Sequence, residues 1–215
     1  MNGTVRLTQT LDAELVSRLQ SVSFPTIGHF LEEGFLDPGI RSMLPNVHLV
    51  GRAVTVRIAS ADAFATNRAL ALLEPGDVLV IETGHDATHA PVGAVTACAA
   101  QCAGAAGIVV DGVVTDIVEL RSAGLPVFAR GTSVLTAKRK LDANSAVNVP
   151  VLCGGVMVNP GDVVMADDNG VLVLSPEEAA AIVDLGLSTD RAEPDILRRL
   201  RSGEAIGTVL PGGME

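Results

Sequence analysis

The chain has no tryptophan and no tyrosine, and aromatic residues make up only 2% of it. Its core has to be assembled from small aliphatic side chains, which favour close helix-on-sheet packing and αβ layer architectures. Cysteine is scarce too: Cys98, Cys102 and Cys153 are odd in number and irregular in spacing, which argues against a disulfide framework. No CxxC pair or Cys/His cluster offers a zinc site. Cys98 and Cys102, four apart on one helix, are expected to be small buried residues. Positive charge is in short supply. The formal net charge is -10, so the basic footprint behind electrostatic nucleic-acid binding is missing and no nucleic-acid partner is expected. Long apolar runs are also missing, because the run 105–114 is too short to span a bilayer and is broken by Gly107, Asp111 and Gly112. The N-terminal residues lead no basic stretch into an apolar one, so no signal peptide is expected. A cytoplasmic protein without membrane association is the expectation.

What is present is ample material for a core. Hydrophobic residues make up 48% of 215, mostly Ala, Val and Leu, which suits a single domain spanning residues 1–215. Leu11, Leu15 and Leu19 recur at helical spacing and predict a first helix over 11–22. Thr26 is expected to cap a second, running to about Glu33. From residue 49, GRAVTVRIA alternates like a half-buried strand, with Val54, Val56 and Ile58 on one face and Thr55 and Arg57 on the other. Residues 62–73 predict a helix with Phe64, Leu70 and Leu73 inward. VLVIE and GIVVDG are continuous apolar runs, expected as strands buried on both faces. An Ala-rich helix over 94–106 joins them. A further helix over 116–123 ends at Gly124, and LPVFARG predicts a third strand. Asp167-Asp168-Asn169-Gly170 predicts a hairpin, and Ser175-Pro176-Glu177-Glu178 predicts a capped helix start. The result is a helical N-terminal arm (1–48), an α/β core (49–185) with central β structure flanked by helices, and a helical tail (186–215).

Ligands in open α/β sheets bind at the carboxyl ends of strands. The unit 75–131 therefore holds the candidate site. Its first loop supplies His85, Asp86, Thr88 and His89, then the helix start Gly93, Ala94, Val95 and Thr96, whose free amides suit a carboxylate. The second loop supplies Asp111, Thr115 and Asp116. The third strand ends at Arg130, a guanidinium suited to a carboxylate or phosphate. Each has a plainer alternative: Asp116 as a helix-start residue, the histidines as exposed loop residues, Arg130 in an ion pair. For Asp111, a turn hydrogen bond is the favoured expectation.

The ordered motifs GRAVTVR, PGDVLVIETG, a glycine at 93 followed by TD at 115–116, GLPVFARG and CGGVMVNPGDVVMADDNGVLVL resemble the RraA-like family over about residues 50–178. That family includes 4-hydroxy-4-methyl-2-oxoglutarate aldolases and regulators of RNase E activity. The resemblance implies a swivelling β/β/α-type fold, assembled as a homotrimer or hexamer with its site between subunits. It also implies a divalent metal, Mg²⁺ or Mn²⁺, held by Asp116 and waters, and a 2-oxo acid held by the amides after Gly93. The implied activity is a lyase that cleaves or decarboxylates the 2-oxo acid to pyruvate. Three positions depart from the family pattern. Thr115 stands where an arginine is usual, Ala94 replaces an acid, and Glu119 replaces a basic residue. These changes imply an altered substrate, with His85 or His89 as replacement base or metal ligand and Arg130, or an arginine of a neighbouring subunit, as replacement anchor. A non-catalytic regulatory trimer is the alternative.

Overall fold

A computed structural model describes residues 10–210. Residues 1–9 and 211–215, the ends of the predicted arm and tail and the start of the segment tested for a signal peptide, lie outside the described residues. Eight strands form one large mixed sheet. Along it run Arg41–Ser42, Val127–Ala129, Gly107–Asp111, Asp77–Glu82, His48–Arg57, Val163–Asp167 and Gly170–Leu174, and Ala146–Val147 also pairs with His48–Arg57. The four strands from Val127–Ala129 to His48–Arg57 are mutually parallel, as strand–helix–strand crossovers require.

Helices Ala63–Leu70, Ala94–Cys102 and Ile117–Ala123 are those crossovers. One face of the sheet builds a core from Val54, Val56, Leu79, Ile81, Ile108 and Val110, joined by the small helix residues Ala65, Ala69, Ala97 and Ala100. The other face packs Ala53, Val80, Val109 and Phe128 against Val151, Cys153 and Val158 of a small hairpin. A third cluster gathers Leu19, Phe24 and Ile27 of the arm and Ala179, Ile182 and Val183 of the last long helix around Met165 and Leu172. That helix, Pro176–Arg201, starts at the predicted Ser175 as a full capping box and runs on into the predicted helical tail, absorbing Pro194. Segment 34–36 lies along the last strand, Leu36 N–H donating to Val171 O and Val173 N–H to Gly34 O, before the chain reaches the opposite rim at Arg41. The sheet is thereby nearly closed.

Several expectations need correction. The strand His48–Arg57 is not half-buried: Thr55 faces away from Val54 as predicted, yet it is fully buried and donates its hydroxyl to Val149 O. The second helix is only Phe24–Ile27 with Ser23 as N-cap, and Thr26 lies inside it, bonded to Asp190. In Ala63–Leu70 the fully buried face is Ala65, Thr66 and Ala69, and Phe64 is only half-buried. Cys98 and Cys102 are exposed, because Ala97 and Ala100 take the inward face of their helix. Only Cys153 is buried, where desolvation holds its thiol protonated.

Candidate active site

Parallel registry sets Arg57 beside Glu82 and Glu82 beside Asp111 at the carboxyl rim of the sheet. Beyond the rim, Val113–Val114 pairs with Gly131–Thr132, and Val92 bridges to Val114 on its other side. Thr115 N–H donates to Val92 O at 2.9 Å. The two loops named from the sequence are thus side by side, with Gly93 next to Thr115 and Asp116.

Asp116 is an N-cap by position, but its side chain does not cap its own helix, Ile117–Ala123. Its backbone is left-handed (φ 53, ψ 45), which turns the carboxylate onto the neighbouring helix, where Oδ2 accepts the Ala94 N–H at 2.9 Å. A non-glycine residue in that region costs on the order of 1–3 kcal/mol and persists where the surroundings over-determine it. Close approach explains Gly93: a Cβ built there falls 2.5 Å from Asp116 Oδ2 and 2.7 Å from Thr115 Cγ2. Ala97 N–H closes the first helical bond to Gly93 O, and the amides of Val95 and Thr96 have no acceptor among the described residues. Thr96 donates its hydroxyl to Pro91 O at 3.4 Å, and Thr115 donates its hydroxyl to Asp116 Oδ1 at 3.3 Å. The Asp116 side is exposed.

The first loop is organised by Asp86, whose spacing to His89 is that of a local Asx turn. Its carboxylate accepts the Thr88 N–H and hydroxyl, the His89 N–H, and the His89 imidazole through Nδ1 at 2.7 Å. Partial burial opposes ionisation, but these donors, the Thr88 hydroxyl foremost, hold the carboxyl well below its usual range. The bond at Nδ1 favours the tautomer that leaves His89 Nε2 as an acceptor. His85 is exposed, left-handed (φ 69), and has no hydrogen bond among the described residues.

Arg130 is already committed. Its Nε donates to Asp111 at 2.5 Å and its Nη1 to Asp37 at 3.0 Å. The plainer expectation of an ion pair is what the structure places there. Asp111 is likewise not making a mere turn bond, since its second oxygen accepts Gly154 N–H at 2.8 Å. Asp37 sits in the arm, distant in sequence, and no local signal could have named it.

The donor set at Asp116 can be tested against a metal. Among the described residues no group of three or more His, Cys, Asp and Glu side chains converges. Asp116 Oδ1 carries only the long Thr115 bond, so it could face a cation. A single carboxylate of this kind fits Mg²⁺ or Mn²⁺, which keep several waters and take one or two carboxylates.

The fold is a nearly closed α/β sheet with a carboxylate lodged against a neighbouring helix start. The chain belongs to the RraA-like family: residues 12–173 match the family described as Aldolase/RraA. A provisionally named 4-hydroxy-4-methyl-2-oxoglutarate aldolase from Halalkalibacterium halodurans is 39% identical over 135 residues, 63% of this chain and 63% of that protein's own length. An uncharacterised protein from Methanocaldococcus jannaschii is 30% identical over 80% of this chain and 83% of its own. Among solved structures, Streptomyces coelicolor RraAS2, described as an unusual member of the RNase ES inhibitor RraA protein family, superposes with a TM-score of 0.75 at 29% identity, covering 90% of this chain and 99% of that one. An uncharacterised Pseudomonas syringae protein gives 0.79 at 25%, covering 94% and 98%. No described helix is long and apolar enough to cross a membrane.

Proposed function

We propose that the chain is a divalent-metal-dependent carbon–carbon lyase, cleaving or decarboxylating a 2-oxo acid to pyruvate at the Gly93–Asp116 site. The observation that carries this reading is the Asp116 carboxylate, turned away from its own helix and held beside two open amides. The amides of Val95 and Thr96 bind the substrate carboxylate, favoured by the positive end of the helix. Asp116 and waters would hold Mg²⁺ or Mn²⁺, which when bound would supply Lewis-acid polarisation of a substrate oxygen. His89, steadied by Asp86, takes the substrate hydroxyl proton at Nε2; His85, with no partner to orient it, is the weaker candidate. Thr115 and Ala94 provide no charge, and Arg130 is spent on Asp111 and Asp37. The substrate is accordingly one that needs fewer charged contacts than the usual dicarboxylate.

We also propose that the site closes against another subunit in a homotrimer or hexamer. Three exposed valines support this. Val95 (84% exposed) and Val118 (68%) stand on the first turns of the two helices that meet at the site, and Val134 (99%) follows Ser133, which is bonded to Val114. Apolar side chains gathered at a site rim mark an interface more often than single ones do. Sedimentation of the wild-type chain is expected to give three or six chain masses, and Val134→Asp a lighter species. A wild-type monomer overturns the assembly.

The activity test is pyruvate release from oxaloacetate and from 4-hydroxy-4-methyl-2-oxoglutarate, with and without Mg²⁺ or Mn²⁺. Asp116→Ala is expected to lose about a thousandfold, as a Lewis acid contributes several kcal/mol and ~1.4 kcal/mol is tenfold. His89→Gln is expected to lose about a hundredfold on 4-hydroxy-4-methyl-2-oxoglutarate, which carries the hydroxyl, the low end for a general base, and much less on oxaloacetate, which has none. No wild-type turnover of either compound sinks the standard substrates. Failure of a wider panel of 2-oxo acids as well leaves the second reading, a regulatory trimer. That reading is favoured by one observation: Asp116 already occupies the Ala94 amide.

A further inference from the structure

A cavity of about 590 Å³ opens beside the Arg41–Ser42 rim of the sheet, away from the Asp116 carboxylate. Its walls carry two arginines, Arg41 and Arg121, with Met43, Leu44 and Pro45 between them. Each guanidinium is tethered through Nε to a backbone carbonyl, Arg41 to Pro38 O and Arg121 to Met43 O, both at 3.0 Å. These bonds fix the forks without neutralising them. Neither arginine takes part in an ion pair among the described residues, a state they share with Arg57, Arg139, Arg191 and Arg201. What sets Arg41 and Arg121 apart is that they line one cavity together, in a chain whose net charge is -10. Asp168, the acid on the wall, is engaged with the Asn46 N–H at 2.9 Å.

We propose that this cavity binds a small organic anion, its carboxylate or phosphate forked between Arg41 and Arg121 and its compact apolar body lying on Met43, Leu44 and Pro45. Arginine suits this role because its planar fork matches carboxylate and phosphate oxygens, and pre-ordering of the side chain lessens the entropy lost on binding. The site is independent of the lyase reading. Arg121 nonetheless lies on the helix that Asp116 begins, five residues along, roughly 7.5 Å by helical rise.

The full chain can be titrated with benzoate and with phenyl phosphate by calorimetry, and the tighter of the two identifies the head group. Saturable binding is expected for at least one. Arg41→Gln and Arg121→Gln should each weaken it about tenfold, about 1.4 kcal/mol. Both side chains are exposed, so the variants should melt with the wild type, which separates lost binding from lost fold. Asp168→Asn should tighten binding by removing a like charge, and Asp116→Ala should leave it unchanged. The proposal is overturned if neither probe saturates, if both glutamine variants bind like the wild type, or if binding disappears with Asp116.

Discussion

Gly93→Ala is expected to remove metal binding and turnover together while leaving the fold in place. The added Cβ falls 2.5 Å from Asp116 Oδ2 and 2.7 Å from Thr115 Cγ2, distances that real Cβ atoms do not show. Something must move. Thr115 is pinned through its N–H to Val92 O and is stiff at χ1, so it yields least. The Asp116 carboxylate is a short side chain at an exposed position, and swinging it outward breaks its bond to the Ala94 N–H and the long one from the Thr115 hydroxyl. The strain is thus relieved by dismantling the site. Overpacking of this kind costs about 1–3 kcal/mol of stability, whereas the carboxylate proposed to hold the cation is displaced altogether. Mn²⁺ binding followed by electron paramagnetic resonance, beside thermal unfolding, separates the two effects. Gly207→Ala is the control, because no atom lies within 4 Å of a Cβ built there. Wild-type Mn²⁺ affinity in Gly93→Ala would show that the Asp116 contact is not what the glycine is for.

Arg52→Met is expected to be the most destabilising single change, at about 3–5 kcal/mol. Arg52 and Asp77 are 7% and 3% exposed as side chains, and they meet in a two-bonded fork, Nε to Oδ1 at 2.8 Å and Nη2 to Oδ2 at 3.0 Å. Glu74 accepts a further bond at 2.9 Å. Removing the guanidinium leaves a carboxylate buried without its cation, and that desolvation dominates the loss. The double variant Arg52→Met/Asp77→Asn should recover more than half. The amide oxygen can still take the Glu74 N–H that closes the turn at 2.8 Å, and no charge stays buried. Urea unfolding measures both. A single-variant cost below about 1 kcal/mol, the level of an exposed pair, would mean the fork is solvated.

The turn that Asp77 closes shows what was legible in the sequence. Pro75-Gly76-Asp77 and Pro160-Gly161-Asp162 read alike, and they fold alike. Gly76 and Gly161 are both left-handed, and each aspartate accepts the N–H three residues back. Burial pushes the Asp162 carboxyl up. Both launch strands that pair with His48–Arg57, one parallel and one antiparallel. Apolar runs, turn chemistry and capping residues are local signals, and the strand–helix–strand unit followed from them. Faces were harder to read. In an Ala-rich helix both sides look alike, which is why Cys98 and Cys102 were expected inward. The bringing together of Gly93 and Asp116 was legible through the crossover rule, but the left-handed turn at Asp116 was not, since an aspartate before a helix ordinarily caps that helix. The capture of Arg130 by Asp37 depends on the arm folding back over the sheet, and no spacing in the sequence announces it.

The same arm also limits how another strand can join the large sheet. Segment 34–42 runs from one rim of the large sheet to the other, spending its backbone on Val171 and Val173 at one side and on Phe128 and Ala129 at the other. Strand addition at either rim would have to displace it. Recognition through the large sheet is left to its side-chain surfaces, where a single substitution can tune affinity without touching the main-chain ladder, and that sheet offers no free template for open-ended stacking.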